Sequence, residues 1–258
     1  MLESGCYLQY AASMTRPGLP PKRSIQAPFF EVGAKNYLRG DAVVELAVAA
    51  DQAAKDFDID VLMITPYFDI REVRRQTSRL IILAPHMDAT LPGSALADVI
   101  PEAVKAAGAD GVVLNHAERP LSLGVLAETI ARADDVGLLS FVCSDSIAEA
   151  RAVAELGPDI MNPEPTELLG KAAVDNNWDF MTASIDAVKG VDARILVEQA
   201  AGIRTAEQVY KYILAGAEGV GVASGIIKAS NPAETMRAMI AAVRRAADDR
   251  RDDRTTGV

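Results

Sequence analysis

Four side chains draw attention because each falls at the end of a short β-rich segment. Lys35 follows FFEVGA (from Phe29), His86 follows LIILAP (from Leu80), His116 ends GVVLNH (from Gly111), and Glu164 follows PDIMNP (from Pro158). The two histidines are the only ones in the chain. A lysine supplies a fixed positive charge, and an imidazole can donate or accept near neutral pH. A carboxylate held by Pro165 is rigidly aimed and can take a proton from a carbon beside a carbonyl. Each residue alone has an ordinary structural explanation, but their common placement is harder to dismiss. Two further ends, AAGIRT (Ala200 to Thr205) and ASGIIK (Ala223 to Lys228), carry small residues whose backbone N–H groups can approach a phosphate. Zinc wants three or four convergent His, Cys or carboxylate ligands, so two histidines suggest neither a metal nor a cofactor.

What must position these residues is a repeated unit. Eight β-rich segments occur: the four above, DVLMIT (from Asp60), LLSFVC (Leu138), RILVEQ (Arg194) and GVGVAS (Gly219). Longer stretches with apolar residues at helical spacing separate most of them, and that alternation implies a parallel sheet with crossover helices. In the first such stretch Val43, Val44, Ala47, Val48 and Ala50 are assigned to the buried face, and Asp51 and Lys55 to the outer one. Asp41 and Ser146 stand at expected N-caps, and Gly108, Gly137 and Gly157 at expected helix ends. No GxGxxG turn follows the first segment, which favours a closed (β/α)₈ barrel, a single α/β domain, over an open dinucleotide-binding sheet. Barrel chemistry sits at the C-terminal ends of the strands, where these four residues lie.

The 258 residues suit one such barrel, expected over residues 25–247. Residues 1–24, with RPGLPPKR from Arg16, read as a disordered extension, and Met14 is an alternative start. The charge-alternating run from Ala247, ADDRRDDRTTGV, reads as a fraying helix end, with residues 248–258 a disordered tail. A net charge of −10 argues against a nucleic-acid surface. An anionic ligand must then be trapped locally, by helix N-termini and a few lysines. Cys6 and Cys143 are the only cysteines, so a disulfide framework is not expected and a reducing cytoplasm fits. No apolar run reaches the roughly 18 residues of a membrane span, and no basic-then-apolar signal opens the chain.

Taken together, GAKNY around Lys35, LPGSALADVIPEAVKAAGADGVVLNHAE up to Glu118, ADDVGLLSFVCSD through Cys143, PEPTELLG around Glu164, AAGIRT and VASGIIKAS resemble the triosephosphate isomerase family. The shorter archaeal-type branch is the nearest in pattern, and the resemblance covers about Phe29 to Arg245. It implies an aldose–ketose isomerase interconverting dihydroxyacetone phosphate and D-glyceraldehyde 3-phosphate. Lys35 would fix the substrate's charge, a neutral His116 would polarise the carbonyl, and Glu164 would move the proton. Triosephosphate isomerases are themselves a standard example of such pKa tuning. Glu118 matches a buried glutamate two residues past the histidine, and Cys143 a cysteine packed near the base. Gly170, Lys171, Gly202, Ser224 and Gly225 match phosphate-binding positions, and the loop after Glu164 would close over the site. The resemblance also implies a homodimer or homotetramer, joined through the loop HMDATLPGSALAD (His86 to Asp98).

The pattern departs from the family in several places. Gly33 replaces an asparagine beside the reacting end of the substrate, Gly170-Lys171-Ala172 replaces Gly-Thr-Gly, Ala200 replaces a glycine, and Leu96 stands for an intersubunit threonine. Gly33 both removes polar contacts and opens space. Two alternatives therefore stay open: a paralogue acting on a four-carbon ketose phosphate such as L-erythrulose 1-phosphate, and a barrel that binds a phosphorylated ligand without turning it over.

Overall fold

All eight β-rich segments form strands, and all pair in parallel in chain order until the last closes on the first. The computed structural model describes residues 19–165, 178–200 and 202–256. Strands β1 (Phe29–Gly33), β2 (Val61–Ile64), β3 (Ile81–Ala84) and β4 (Gly111–Leu114) make one half of the closed barrel. Strands β5 (Leu139–Ser144), β6 (Ile160–Pro163), β7 (Leu196–Gln199) and β8 (Gly219–Val222) make the other. Helices α1 (Asp41–Phe57), α2 (Ile70–Gln76), α3 (Pro101–Ala107), α4 (Leu123–Val136) and α5 (Ile147–Ala154) alternate with the strands. So do α6 (Trp178–Lys189), α7 (Ala206–Leu214), the short α8 (Ser224–Ile227) and the closing α9 (Pro232–Thr256).

Alternate residues of each strand face opposite sides of the barrel wall. Inward, Phe29, Leu62, Leu83, Val113, Phe141 and Ile160 fill the barrel; outward, Phe30, Met63, Ile82, Val112, Met161 and Val220 pack under the helices. The interior is fitted by size. The Phe29 ring occupies the place a side chain at Gly219 would take, since a Cβ there would lie 2.2 Å from the ring, so β8 must carry glycine opposite that ring. Ser146 and Thr205 cap α5 and α7 through their hydroxyls, whereas Asp41 is the first residue of α1 and the cap position is Gly40.

Helix α1 corrects the expected face assignment. Val48 is 40% exposed and Asp51 only 3% exposed. The Asp51 carboxylate accepts the backbone N–H groups of Ser78, Arg79 and Leu80 (3.0, 2.6 and 2.8 Å) and pairs with Lys55 at 2.6 Å. An acidic residue thus ties α1 to the start of β3, a long-range use that helical spacing does not reveal. Burial alone would raise the Asp51 pKa, but Lys55 and the three amides hold it below the usual aspartate value. Its stabilising contribution is therefore present above about pH 4 and is lost as pH falls through the lowered value. Asp51→Ala is expected to cost about 1.5–3 kcal/mol, read by urea unfolding at neutral pH. A change within 0.5 kcal/mol would assign the three amides another source of stability.

The barrel also extends past its expected limits. Lys22 pairs with Asp134 and Asp159, each at 2.6 Å, so residues 19–24 lie against the barrel, while residues 1–18 are outside the described residues. At the other end α9 continues to Thr256 where a disordered tail from residue 248 was expected. The charged run is held there. Asp249 accepts from the Tyr210 hydroxyl at 2.7 Å, and Arg250 donates to the Ile213 carbonyl at 3.1 Å. No described helix is long and apolar enough to cross a membrane.

Candidate active site

The C-terminal ends of the strands surround a cavity of about 110 Å³. Lys35, His116 and Glu164 all line it. His86 does not: it is buried, with its Nε2 3.5 Å from Asp88, and its backbone carbonyl accepts from the Tyr67 hydroxyl at 2.9 Å. Its imidazole thus belongs to the loop after β3.

Lys35 begins a three-residue 3₁₀ turn directly after β1 and has a positive φ of 45°. A non-glycine residue is rarely held there, and such conformations concentrate at functional sites. The preceding Ala34 N–H donates to the Ile64 carbonyl at 3.3 Å, which fixes the strand end from which the lysine projects.

His116 is held by the residue before it. Asn115, also at positive φ (55°), donates its side-chain amide to the Cys143 carbonyl and to Glu149 Oε1, both at 3.0 Å, and accepts from the Leu121 N–H at 2.8 Å. One buried amide therefore links β4, β5, α5 and the approach to α4. The Glu118 backbone N–H points at His116 Nδ1 at 3.3 Å. A ring nitrogen that accepts from an N–H carries no proton, so this bond assigns the neutral tautomer with its proton on Nε2. Burial, followed by the positive charge of Lys35, lowers the His116 pKa from its usual value against the opposing pull of Glu118.

Glu118 itself departs from expectation. Its side chain is exposed and does not line the cavity, because the turn closed by the Arg119 N–H on the His116 carbonyl (2.7 Å) carries it outward. Its backbone serves the site; its carboxylate lies outside the cavity wall.

Glu164 follows β6, and its N–H donates to the Ser144 carbonyl at 2.8 Å, extending the β5–β6 ladder by one residue. Gly202 (φ 78°) and Ser224 at the start of α8 also line the wall. Gly225 does not. A Cβ on it would sit 2.9 Å from the Ile203 carbonyl and 3.0 Å from the Arg204 Cα, so glycine is needed there for the two loops to touch. Gly170 and Lys171 lie outside the described residues. At Gly33 a Cβ would make ordinary contacts, 3.4 Å from Glu31 Oε1 and 3.5 Å from the Ala223 Cβ, so a side chain has room.

Sequence reading passed over Asn115 and a set of polar residues on the cavity floor. Glu31 and Asn162 line the cavity, and Glu198 is buried beneath it. A detectable signal existed for the two glutamates: each brings a charged group into a barrel strand at an inward-facing position, Glu31 in FFEVG and Glu198 in LVEQ. Among the described residues no group of three or more His, Cys, Asp or Glu could hold a metal ion.

Comparison with known proteins follows the same outline. The profile of the triosephosphate isomerase family matches residues 31–243. The triosephosphate isomerase of Sulfurisphaera tokodaii is 35% identical over 195 residues, covering 75% of this chain and 84% of that protein. That of Methanopyrus kandleri is 34% identical over 204 residues, covering 78% and 90%. Among solved structures, the triosephosphate isomerase of Bartonella henselae superposes with a TM-score of 0.62 at 15% identity, covering 85% of this chain and 99% of that one, a likeness of fold.

Proposed function

The chain belongs to the triosephosphate isomerase family, and on that premise we propose that it interconverts dihydroxyacetone phosphate and D-glyceraldehyde 3-phosphate through an enediolate. The observation that carries this reading is the convergence of Lys35, His116 and Glu164 on one cavity, with His116 Nδ1 facing a backbone N–H. Glu164 removes the proton from the carbon beside the carbonyl and returns it to the neighbouring carbon. His116 donates through Nε2 to the oxygen on which negative charge develops, and the Lys35 ammonium adds a fixed positive charge beside it. The phosphate is held by backbone N–H groups around Gly202 and Ser224, with Gly170 and Lys171 completing the grip and Gly225 shaping the loop. A coupled assay with dihydroxyacetone phosphate tests the reading: turnover is expected, and its absence in folded protein would overturn it.

One observation supports a second reading. Gly33 lines the cavity and puts no side chain into it, so a four-carbon ketose phosphate such as L-erythrulose 1-phosphate can set its additional hydroxymethyl group beside it and undergo the same enediolate chemistry. The ratio of kcat/KM values for the triose and tetrulose phosphates, in wild type and Gly33→Asn, separates the two. A ratio favouring the triose and unmoved by the substitution makes Gly33 neutral.

The proposed assembly is a homodimer or homotetramer joined through the loop after β3. Leu96 is fully exposed on that loop and Leu91 is 67% exposed, apolar surface that a partner subunit would cover. Sedimentation at micromolar concentration is expected to show an oligomer, and Leu96→Asp to shift it toward monomer. A wild-type monomer would refute the assembly.

A further inference from the structure

The barrel floor beneath the cavity holds two buried carboxyl groups that the proposed chemistry does not use. Glu31 on β1 is 6% exposed and Glu198 on β7 is fully buried. Strand β8 runs between them and carries Gly221 at the facing position; a Cβ on that glycine would lie 2.6 Å from Glu31 Oε2 and 2.3 Å from Glu198 Oε1. The two carboxyls therefore share the space that Gly221 leaves empty. Glu31 Oε1, both Glu198 oxygens and Asn162 Oδ1 are buried with no hydrogen-bond partner among the described residues. Leaving such atoms unpaired is costly, and apolar residues there would be cheaper.

Glu31 also has an outlet that Glu198 lacks. It lines the cavity together with Gly33, whereas Glu198 does not. We propose that Glu31, backed by Glu198, is a further substrate-contacting residue, whose carboxyl hydrogen-bonds a hydroxyl of the sugar phosphate's carbon chain beside Gly33. Burial, then the charge of Glu164, pushes the Glu31 pKa up to about 8 against the pull of Lys35. The group thus keeps an O–H at neutral pH and can both donate and accept, which matches a hydroxyl. Glu198 is raised in the same direction by burial and then by Glu31, so the pair carries less than two negative charges and tolerates the enediolate above it. The ligand chemistry is a phosphate ester bearing a free hydroxyl on an adjacent carbon, not phosphate alone.

This assignment deepens the isomerase reading, and its test is chosen to fail separately from that reading. Titration calorimetry would measure glycerol 3-phosphate and inorganic phosphate binding to the full chain as wild type, Glu31→Leu and Glu31→Gln. In Glu31→Leu, glycerol 3-phosphate is expected to bind about tenfold more weakly, the size of one hydrogen bond, with inorganic phosphate unchanged and Tm at or above wild type. Glu31→Gln keeps a donor and an acceptor and is expected to stay within about threefold of wild type. Equal weakening of both ligands, no weakening of either, or a wild type that binds glycerol 3-phosphate no better than phosphate would each overturn the proposal. Should Glu31→Leu fail to fold, Glu31→Met carries the same comparison. Turnover of dihydroxyacetone phosphate, assayed on the same preparations, judges the isomerase reading on its own.

Discussion

Glu164→Asp is expected to lower kcat about 10²-fold or more, because one methylene withdraws the carboxylate by a distance of order 1 Å from the carbon it must deprotonate. The loss should fall mainly on kcat, with KM changed little, since the phosphate grip lies on the loops after β7 and β8 and is not touched. Two other carboxyls share this neighbourhood. Glu31 sits deeper, and its raised pKa of about 8 leaves it largely protonated at neutral pH, which is the wrong state for a base. Glu198 is fully buried and does not line the cavity. Glu164 is only half-buried and stands at the cavity wall, with its backbone anchored to β5. Steady-state kinetics of Glu164→Asp and Glu164→Gln in the coupled assay check this, with Glu164→Gln the more severe. Near-normal turnover in either would move the base to another residue.

The strands were readable from sequence because a parallel barrel buries both faces of its sheet, so each strand appears as a nearly continuous apolar run. Their ends were less readable. LNH looks like the close of a strand, yet Asn115 turns to positive φ, and that turn is what presents His116 to the cavity. Helical spacing placed Val43, Val44, Ala47 and Ala50 correctly but failed at Asp51, where three amides of another segment override the preference of a carboxylate for water. Local pattern cannot register such a partner, 27 to 29 residues away. The same limit explains Glu118: its backbone position follows from the sequence, but whether its carboxylate turns inward depends on a turn geometry fixed by Arg119 and Asn115. The resemblance matches Gly225 to a phosphate-facing amide, and the contact that demands glycine at that position is with the neighbouring loop, which no single segment reveals. The floor glutamates lay in plain view inside two strands, where a charged residue breaks the apolar run for reasons that no single strand contains.

His116→Ala is expected to lower kcat by about 10²–10³-fold, the range for losing one preorganised donor to a developing oxyanion. The argument depends on the ring being neutral before the reaction begins. With Nδ1 facing the Glu118 N–H, the ring proton belongs on Nε2, and protonating Nδ1 would set two N–H groups against each other. Burial and the Lys35 charge act in the same direction, so the folded pKa lies below the ordinary imidazole value. The consequence for pH follows directly. As pH falls through about 6.5 the unfolded chain takes up a proton that the folded site refuses, so the native state loses stability there while the neutral donor persists. The His116 ring resonances are accordingly expected to titrate below the ordinary imidazole value, and the activity profile to show no acid limb near about 6.5. Because Lys35 is the second cause of the shift, Lys35→Met should move the His116 pKa part of the way back up, with burial retaining the rest. An ordinary titration near 6.5 in wild type, or a Lys35→Met protein whose His116 is unmoved, would contradict this account of the donor.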